Sequence, residues 1–346
     1  MANFYAVIKT AIILALFCAC ENRSPVPEPA DDGFAKGADI SWVTEMEAAG
    51  RKFYNAQGEE MECMALLRTL GINSVRLRVW VDPVEHGNWC NKEDVVRKAK
   101  RANALGMKLM INFHYSDWWA DPEKQNKPAA WQDLSFDELK DAVTAHTKDV
   151  LTALKQENLT PAWVQVGNET DNGLLWETGK ASVNMKHYAE LMLAAYNAAK
   201  SVFPDTKVII HVSNGYDNAL FRWNFDGLKV NGAKWDVIGM SLYPSYAKEK
   251  GYDTWKEVND ACIATINDMI ERYGTEVMIC EVGMPYTQAA ECKNFLTDLI
   301  NRTRTIPGNK VLGVFYWEPQ CYHWADYQLG AFDNTGKPTV ALDAYK

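Results

Sequence analysis

The stretch LGINSVRLRV, residues 70–79, contains a helix-to-strand passage on which the prediction of the fold depends. A helical pattern closes on Leu70-Gly71, and a glycine just past the last turn is a common helix terminator. The apolar run Ser74–Val79 then predicts a strand. The same passage recurs at Leu105-Gly106, which leads directly into the run Lys108–Phe113. Helices that alternate with strands through short connections are typical of an α/β fold with parallel strands.

Eight apolar runs of this kind follow one another after residue 32. They are Ala35–Ile40, Ser74–Val79, Lys108–Phe113, Trp163–Val166, Lys207–Val212, Val237–Leu242, Glu276–Ile279 and Val311–Tyr316. Helical patterns separate them, and the clearest are Glu59–Leu70, Glu93–Leu105, Phe136–Glu157 and Asn184–Val202. Eight strand–helix repeats predict a single-domain α/β fold, the (β/α)8 TIM barrel. The alternative is a doubly wound open sheet, but no glycine-rich phosphate loop follows the first strand.

The composition favours a globular protein with an uncharged partner. Hydrophobic residues make up 47 % of the 346 residues and charged residues 23 %, and no break in composition divides residues 33–346. The net charge is −9 without a basic cluster, which argues against nucleic acid and against direct binding to an anionic membrane. Thirteen tryptophans and fifteen tyrosines suit stacking on sugar rings, although some of them are expected to fill the core.

The first 32 residues predict an export module. Residues 1–20 combine Lys9, the apolar run Thr10–Ala19 and Cys20, and this run is too short to span a membrane as a mature helix. The box FCAC, residues 17–20, resembles the cleavage box of bacterial lipoproteins, with Cys20 as the lipid attachment site; plain secretion is the alternative. Residues 21–32 are acidic and proline-rich, as in a tether. We therefore expect an exported bacterial lipoprotein at the cell surface or outer membrane, which contacts the membrane only through its lipid.

Two glutamates stand where a barrel places its active site, at the carboxyl ends of strands. Glu169 follows the fourth predicted strand and Glu281 the seventh, so the two side chains can face each other across the barrel mouth. Glycoside cleavage needs such a pair, one group to protonate the leaving oxygen and one opposite it at the anomeric carbon. We expect Glu169 to be the acid/base and Glu281 the nucleophile, with retention if the carboxyl groups stand about 5–5.5 Å apart. A strand-end salt bridge would account equally well for either glutamate alone.

Other residues at the strand ends suit supporting roles. Asn168 is placed to bind a sugar 2-OH, and Tyr243 to donate a hydrogen bond to the nucleophile. A neighbouring arginine such as Arg78 is expected to keep the nucleophile ionised. His114 orients the acid, contacts the substrate, or is a barrel-top histidine without either role. Trp317 is a candidate floor on which a sugar stacks.

Neither a metal nor another cofactor is expected. The six histidines form no HxH or HExxH motif and do not stand at zinc spacing from the cysteines, so a structural zinc and a metallohydrolase site are both disfavoured. Export would permit disulfides, but the sequence leaves their pairing open. Cys280, inside an apolar strand, is expected to be a core residue. The cysteines that follow the leader are Cys63, Cys90, Cys262, Cys280, Cys292 and Cys321.

Longer motifs narrow the interpretation to one family. The segments GADIS (residues 37–41), VRLRVW (75–80), FHYSDWWADP (113–122) and VQVGNE (164–169) resemble glycoside hydrolase family 53, the arabinogalactan endo-β-1,4-galactanases. The resemblance covers about Gly33–Lys346, and the third segment is highly specific whereas a bare Asn-Glu pair is not.

The resemblance implies endo-acting, retaining hydrolysis of β-1,4-galactosidic bonds in type I arabinogalactan and pectic galactan by Glu169 and Glu281. Some members of the family bind calcium through an acidic loop after the seventh strand, but here the short loop Val282–Thr287 offers no oxygen-rich ligand set, so no calcium is expected. The resemblance also implies a cleft lined by Asp39, Arg78, His114, Asn168, Tyr243 and Trp317, with flanking sugar subsites at Trp80, Asp117, Trp118 and Trp119.

Two other functions stay open on the sequence alone. A β-glycosidase of the same clan that acts on β-mannan or β-glucan would share both fold and mechanism. A non-catalytic glycan-binding surface lipoprotein would keep the tryptophans but would have no need of both Glu169 and Glu281. In every case the expected partner is a polysaccharide, and the chain is expected to be a monomer.

Overall fold

The computed structural model describes residues 33–346, which form one unit. Its centre is a closed barrel of eight parallel strands, and the first strand closes the ring by pairing with the last. The single-domain (β/α)8 barrel is thereby confirmed, and the open-sheet alternative is wrong. The predicted signal peptide, Cys20 and the tether lie outside the described residues. The strands are β1 (Ala35–Asp39), β2 (Ser74–Val79), β3 (Lys108–Phe113), β4 (Trp163–Val166), β5 (Lys207–Val212), β6 (Val237–Leu242), β7 (Glu276–Val282) and β8 (Val311–Trp317).

Helices connect the strands and cover the outside of the barrel. None of those between residues 33 and 346 is long and apolar enough to cross a membrane. The predicted helices Glu93–Leu105 and Phe136–Glu157 agree with the structure to within one residue at each end. The helices are α1 (Val43–Ala48), α2 (Cys63–Thr69), α3 (Lys92–Ala104), α4 (Phe136–Gln156), α5 (Ala181–Val202), α6 (Asn218–Val230), α7 (Pro244–Ala247), α8 (Trp255–Tyr273) and α9 (Ala289–Arg304).

Helix α2 begins later than predicted, at Cys63 instead of Glu59. The reason is a small hairpin in which Phe53–Tyr54 pairs antiparallel with Glu60–Met61, so the backbone before the helix is extended. Glu62 then caps the helix, because its carboxylate accepts a hydrogen bond of 2.7 Å from a backbone N–H of the first turn. Helix α5, in contrast, begins earlier than predicted and contains a non-helical residue at Asn184.

The barrel interior is apolar at one end and polar at the other. Because side chains alternate along a strand, every second residue points inward. Gly37 leaves room for Phe315 to cross the interior, since a Cβ at Gly37 would lie 2.2 Å from that ring. The inner apolar layer consists of Ala35, Met110, Trp163, Ile209, Val237, Met278, Cys280 and Phe315, so Cys280 is a core residue as predicted. Further along the strands, the inward positions are polar and buried: Asp39, Arg76, Asn112, Gln165, His211 and Ser241.

Candidate active site

The two glutamates reach the barrel mouth through local departures from regular strand geometry. The pairing between β6 and β7 shifts by one residue at this point. Met240 pairs with Ile279, but the next residue, Ser241, pairs with Glu281, so Cys280 is an extra residue in β7. The extra residue, Cys280, is the mark of a β-bulge, which aims Glu281 into the barrel. After β4 the chain turns through Gly167 and Glu169, both with positive φ (78° and 44°). A non-glycine residue in this region costs about 1–3 kcal/mol, a strain often found at functional sites.

Glu281 has a hydrogen-bond donor on each carboxylate oxygen. Arg76 Nη2 lies 2.8 Å from Oε1, and the phenol of Tyr243 donates to Oε2 over 2.9 Å. The side chain is only 6 % exposed. Burial raises the pKa of Glu281, whereas the charge of Arg76 and the Tyr243 hydrogen bond lower it. These two donors favour the ionised form that a nucleophile needs.

Arg76 is the central cation of the site. Besides Glu281 it contacts Asp39 Oδ2 (2.7 Å), Gln165 Oε1 (2.9 Å) and Asn168 Oδ1 (2.7 Å). Its guanidinium therefore joins four strands or their ends into one network. The expectation that Arg78 would accompany the nucleophile is wrong, because Arg76 occupies that place.

Arg78 instead lies among aromatic rings. Its guanidinium carbon is 4.1 Å from the ring centroid of Trp119, 4.7 Å from that of Trp80 and 5.6 Å from that of Trp42. It also pairs with the buried carboxylate of Glu318 at 3.4 Å. Burial, followed by the charge of Asp39, raises the pKa of Glu318 to about 8, against the opposing effect of Arg78. Arg78 thus supports the aromatic side of the barrel mouth.

Glu169 has a very different environment. The hydroxyl of Ser241 donates to Glu169 Oε1 over 2.6 Å, and Ser241 in turn contacts His211 Nε2 at 2.9 Å. Burial, followed by the charges of Glu281 and Asp171, holds the pKa of Glu169 well above its usual range. These surroundings favour the protonated form of Glu169. Arg76 thus favours the ionised form of Glu281, whereas the surroundings of Glu169 favour its protonated form, and this difference suits an acid and a nucleophile.

Asp171 is an acidic neighbour that the sequence pattern did not single out. Its carboxylate accepts hydrogen bonds from the backbone N–H and the hydroxyl of Ser213, at 2.7 and 2.6 Å. Burial raises the pKa of Asp171 to about 6, so it is largely ionised at neutral pH and disfavours a second negative charge on Glu169. The only sequence signal was its position two residues after Glu169.

Two residues predicted to contact the substrate are buried supports. The indole of Trp80 is 1 % exposed and is covered by Trp118 at a centroid distance of 4.3 Å. Asp39 is fully buried, and its carboxylate oxygens accept hydrogen bonds from Ser41 and Arg76. In this structure neither side chain presents a face to a sugar; Asp39 holds Arg76 and Trp80 packs beneath Trp118.

Asn168 and His114 are also held by the framework. Asn168 Nδ2 donates to the carbonyl of Ala120 over 2.9 Å, while its oxygen accepts from Arg76. His114 Nδ1 accepts from the backbone N–H of Ala120 over 3.1 Å. Burial and the charges of both nearby arginines keep the pKa of His114 low, so its ring is neutral. Within residues 33–346 no hydrogen bond joins His114 to Glu169, and the side chain that donates to the Glu169 carboxyl group is Ser241.

The remaining predicted contacts lie around the mouth and are partly exposed. Trp317, at the end of β8, packs edge-on against Trp42 at 5.2 Å. Trp118 stacks on His86 at 3.5 Å. Asp117 joins two loops, because its carboxylate accepts from the backbone N–H groups of residues 82 and 129 at 3.0 and 2.8 Å. Tyr246, which is 60 % exposed and whose phenol interacts electrostatically with both glutamates, was not predicted.

The chemistry of the site rests on protein side chains. Among the residues from 33 to 346, no group of three or more His, Cys, Asp or Glu side chains is arranged to hold a metal ion. The six cysteines in this range are all buried and unpaired. What the site offers is a carboxyl group paired with an arginine, a second carboxyl group whose pKa is raised well above its usual range, and a rim of aromatic rings.

Comparisons of the sequence and of the structure with known proteins point to the same family. Residues 35–343 match the model of glycosyl hydrolase family 53. An uncharacterized protein of Niallia circulans is 34 % identical over 90 % of each chain. An arabinogalactan endo-beta-1,4-galactanase of Thermothelomyces thermophilus is 31 % identical over 87 % of this chain and 93 % of the relative. A solved structure of a fungal beta-1,4-galactanase superposes with a TM-score of 0.82 at 29 % identity, covering 90 % of this chain and 98 % of the other. The chain therefore belongs to glycosyl hydrolase family 53 and is a glycosidase.

Proposed function

We propose that the enzyme hydrolyses internal β-1,4-galactosidic bonds of galactan, such as that in type I arabinogalactan and pectin, with retention of configuration. The observation that carries the mechanism is the opposite environment of the two glutamates. Glu281 accepts from a cationic and a phenolic donor, whereas Glu169 accepts from a neutral hydroxyl and lies near two acidic groups. The substrate is supported by family membership and by relatives that carry the name arabinogalactan endo-beta-1,4-galactanase.

In the first half-reaction, the ionised carboxylate of Glu281 forms a bond to the anomeric carbon while the bond to the leaving sugar oxygen breaks. The proton of Glu169 moves to that oxygen, so the leaving group departs as a neutral alcohol. Glu281 loses its negative charge in this step. The repulsion that raised the pKa of Glu169 then falls, and Glu169 is left as a carboxylate.

In the second half-reaction, a water molecule attacks the anomeric carbon from the side that the leaving group vacated. Its proton passes to Glu169, and the bond between the sugar and Glu281 breaks. Two inversions give net retention, and both glutamates return to their starting protonation states. Partly exposed rings at the rim, those of Trp317, Trp119 and Tyr246, are suited to stack on the galactose units that flank the cleaved bond.

The deciding experiment is release of reducing sugar from unbranched β-1,4-galactan by wild type, Glu169→Ala and Glu281→Ala. We expect losses of about 10²-fold or more for both variants, since general acid catalysis alone contributes about 10²–10⁴-fold. Glu276→Ala is the matched control, because Glu276 lies at the opposite end of β7 and pairs with Lys207. NMR of the reaction should show that the newly formed reducing end is first released as the β anomer. An α anomer would contradict retention, and activity on β-mannan or β-glucan alone would contradict the substrate.

The proposed location is the cell surface, with Cys20 as the lipid attachment site. A tethered endo-acting enzyme would cut the polymer into oligomers short enough to import. Metabolic labelling with a fatty acid tests the anchor. Wild type should incorporate label and Cys20→Ala should not; a labelled Cys20→Ala variant would contradict the assignment.

A further inference from the structure

Glu169 is linked to Arg76 by a chain of polar contacts through Ser241, His211 and Gln165. Arg76 Nε donates to Gln165 Oε1 at 2.9 Å, which identifies the other amide atom of Gln165 as its nitrogen. That nitrogen lies 3.0 Å from His211 Nδ1. On the other side of the imidazole, Nε2 lies 2.9 Å from Ser241 Oγ, and Ser241 Oγ lies 2.6 Å from Glu169 Oε1.

The tautomer of His211 follows from the groups around its Nδ1. The backbone N–H of Glu169 also points at Nδ1, over 3.3 Å, and a backbone amide can only donate. Asn168 Oδ1 also lies 3.3 Å from Nδ1, but it already accepts from Arg76 Nη2 at 2.7 Å and from Asn112 Nδ2 at 3.2 Å, so Nδ1 accepts from the Glu169 N–H. The two hydrogens of the Gln165 amide have closer acceptors in Asn112 Oδ1 and the Gly167 carbonyl, so Gln165 does not decide the tautomer. Burial and the charge of Arg76 keep the pKa of His211 low, so the ring is neutral and has one hydrogen, on Nε2.

The orientation of the Ser241 hydroxyl follows in turn. Its oxygen accepts from His211 Nε2, so its single hydrogen is directed to Glu169 Oε1. The carbonyl oxygen of a neutral carboxyl group accepts such a bond better than its hydroxyl oxygen does. The acid proton of Glu169 is therefore kept on Oε2, for which no hydrogen bond to another residue in the range 33–346 occurs.

We propose that Ser241 and His211 are positioning residues that determine which carboxyl oxygen of Glu169 delivers the proton to the leaving group. The inference rests on the proposed acid/base role of Glu169 and adds a direction to it. After proton transfer the same Ser241 bond becomes charge-assisted and stabilises the carboxylate. It also leaves Oε2 as the oxygen that takes the proton from water in the second half-reaction.

Ser241→Ala tests the proposal, with Ser241→Thr as the variant that keeps the hydroxyl. Ser74→Ala is the matched control. Ser74 is an equally buried barrel serine, but it is the first residue of β2 and so lies at the end of the barrel away from the site. The substrates are two aryl β-galactobiosides that differ only in the leaving group. Dinitrophenolate departs without a proton, whereas phenolate needs one, so only the phenyl substrate depends on the acid.

For Ser241→Ala we expect kcat/KM on the phenyl substrate to fall about tenfold or more, and on the dinitrophenyl substrate to change less than about threefold. The basic limb of the pH profile should move to higher pH, because the lost hydrogen bond favoured ionised Glu169. Other groups that act on this pKa remain in place: Glu281, Asp171 and Arg76 directly, with Tyr216, Tyr243 and Tyr246 as electrostatic neighbours. Ser241→Thr and Ser74→Ala should resemble wild type on both substrates.

Equal losses on both substrates, with an unmoved basic limb, would overturn the proposal and leave Ser241 a structural residue. Glu169→Ala, measured beside it, separates this result from a failure of the proposed function. If Glu169→Ala loses activity on the phenyl substrate but retains it on the dinitrophenyl substrate, Glu169 is the acid whatever Ser241 does. If Glu169→Ala shows no such dependence on the leaving group, the acid/base assignment itself fails, and the positioning role fails with it.

Discussion

Replacing Arg76 with methionine should disable the nucleophile through its protonation state. The guanidinium lies 2.8 Å from Glu281 Oε1 and 2.7 Å from Asp39 Oδ2, and all three groups are buried. With the charge centres about 4 Å apart, an effective dielectric constant of about 20 gives about 4 kcal/mol for the attraction between Arg76 and Glu281. Since about 1.36 kcal/mol corresponds to a tenfold change, the ionised fraction of Glu281 could fall by up to about 10³-fold.

The assay is the pH dependence of kcat/KM on β-1,4-galactan. Without Arg76 the pKa of Glu281 rises, so the acidic limb of the profile should move to higher pH. At neutral pH we expect kcat/KM to fall by about 10²–10³-fold, with partial recovery as the pH is raised. Tyr243→Phe should move the limb in the same direction but less, since a hydrogen bond to a charged group contributes about 1.5–3 kcal/mol.

Loss of fold must be separated from loss of charge. Removing one member of a buried ion pair typically costs about 3–5 kcal/mol of stability. The double variant Asp39→Asn/Arg76→Met no longer leaves Asp39 as an unpaired charge, so it should unfold at a higher temperature than the single variant while its activity stays low. A folded Arg76→Met protein with an unmoved acidic limb and less than a tenfold loss of kcat/KM would show that Arg76 does not control the ionisation of Glu281.

Three further changes test other parts of the site. Asp171→Asn removes a negative charge near Glu169, so the pKa of Glu169 should fall and the basic limb of kcat/KM should move to lower pH; an upward shift would contradict the electrostatic role. Glu318, with a pKa raised to about 8, is more protonated in the folded than in the unfolded chain, so its contribution to stability is present at acidic pH and is lost as the pH rises through about 8. Glu318→Gln should therefore flatten the pH dependence of Tm, and an unchanged dependence would show that Glu318 is already ionised. Trp80→Ala should cost about 3–5 kcal/mol in denaturant unfolding because the side chain is buried, whereas Trp317→Ala should chiefly raise KM for galactan, and the reverse pattern would exchange their roles.

The local pattern of apolar and polar residues was sufficient to predict the barrel architecture. Seven of the eight predicted strands agree with the structure to within one residue at both ends, and β7 differs because it continues through Val282. Helix α2 was placed too early, since the residues before it pair with a hairpin partner that periodicity does not reveal. Glu169 and Glu281 could be selected because a carboxyl group directly after an apolar strand of a parallel barrel lies at the barrel mouth, where active sites form.

The functions of the supporting residues depend on contacts between distant parts of the chain. Arg76 and Arg78 alternate on one strand and both point inward, so periodicity treats them alike. Which one meets Glu281 depends on the stagger of strands that are far apart in sequence, and Arg76 is the one that does so. In the same way, the position of Trp80 on a strand end indicated a sugar contact, but Trp118 packs over it.

The eight-strand barrel and the two glutamates could be predicted without coordinates, because strand periodicity, helix ends and strand-end positions are local properties of the chain. The difference between those glutamates arises only in the folded barrel. The bulge at Cys280 aims Glu281 inward, Arg76 favours its ionised form, and Ser241, beside His211, donates its hydroxyl to Glu169. Each of these depends on groups from separate strands that meet only when the barrel closes, and protonation in a buried site depends on all of them together.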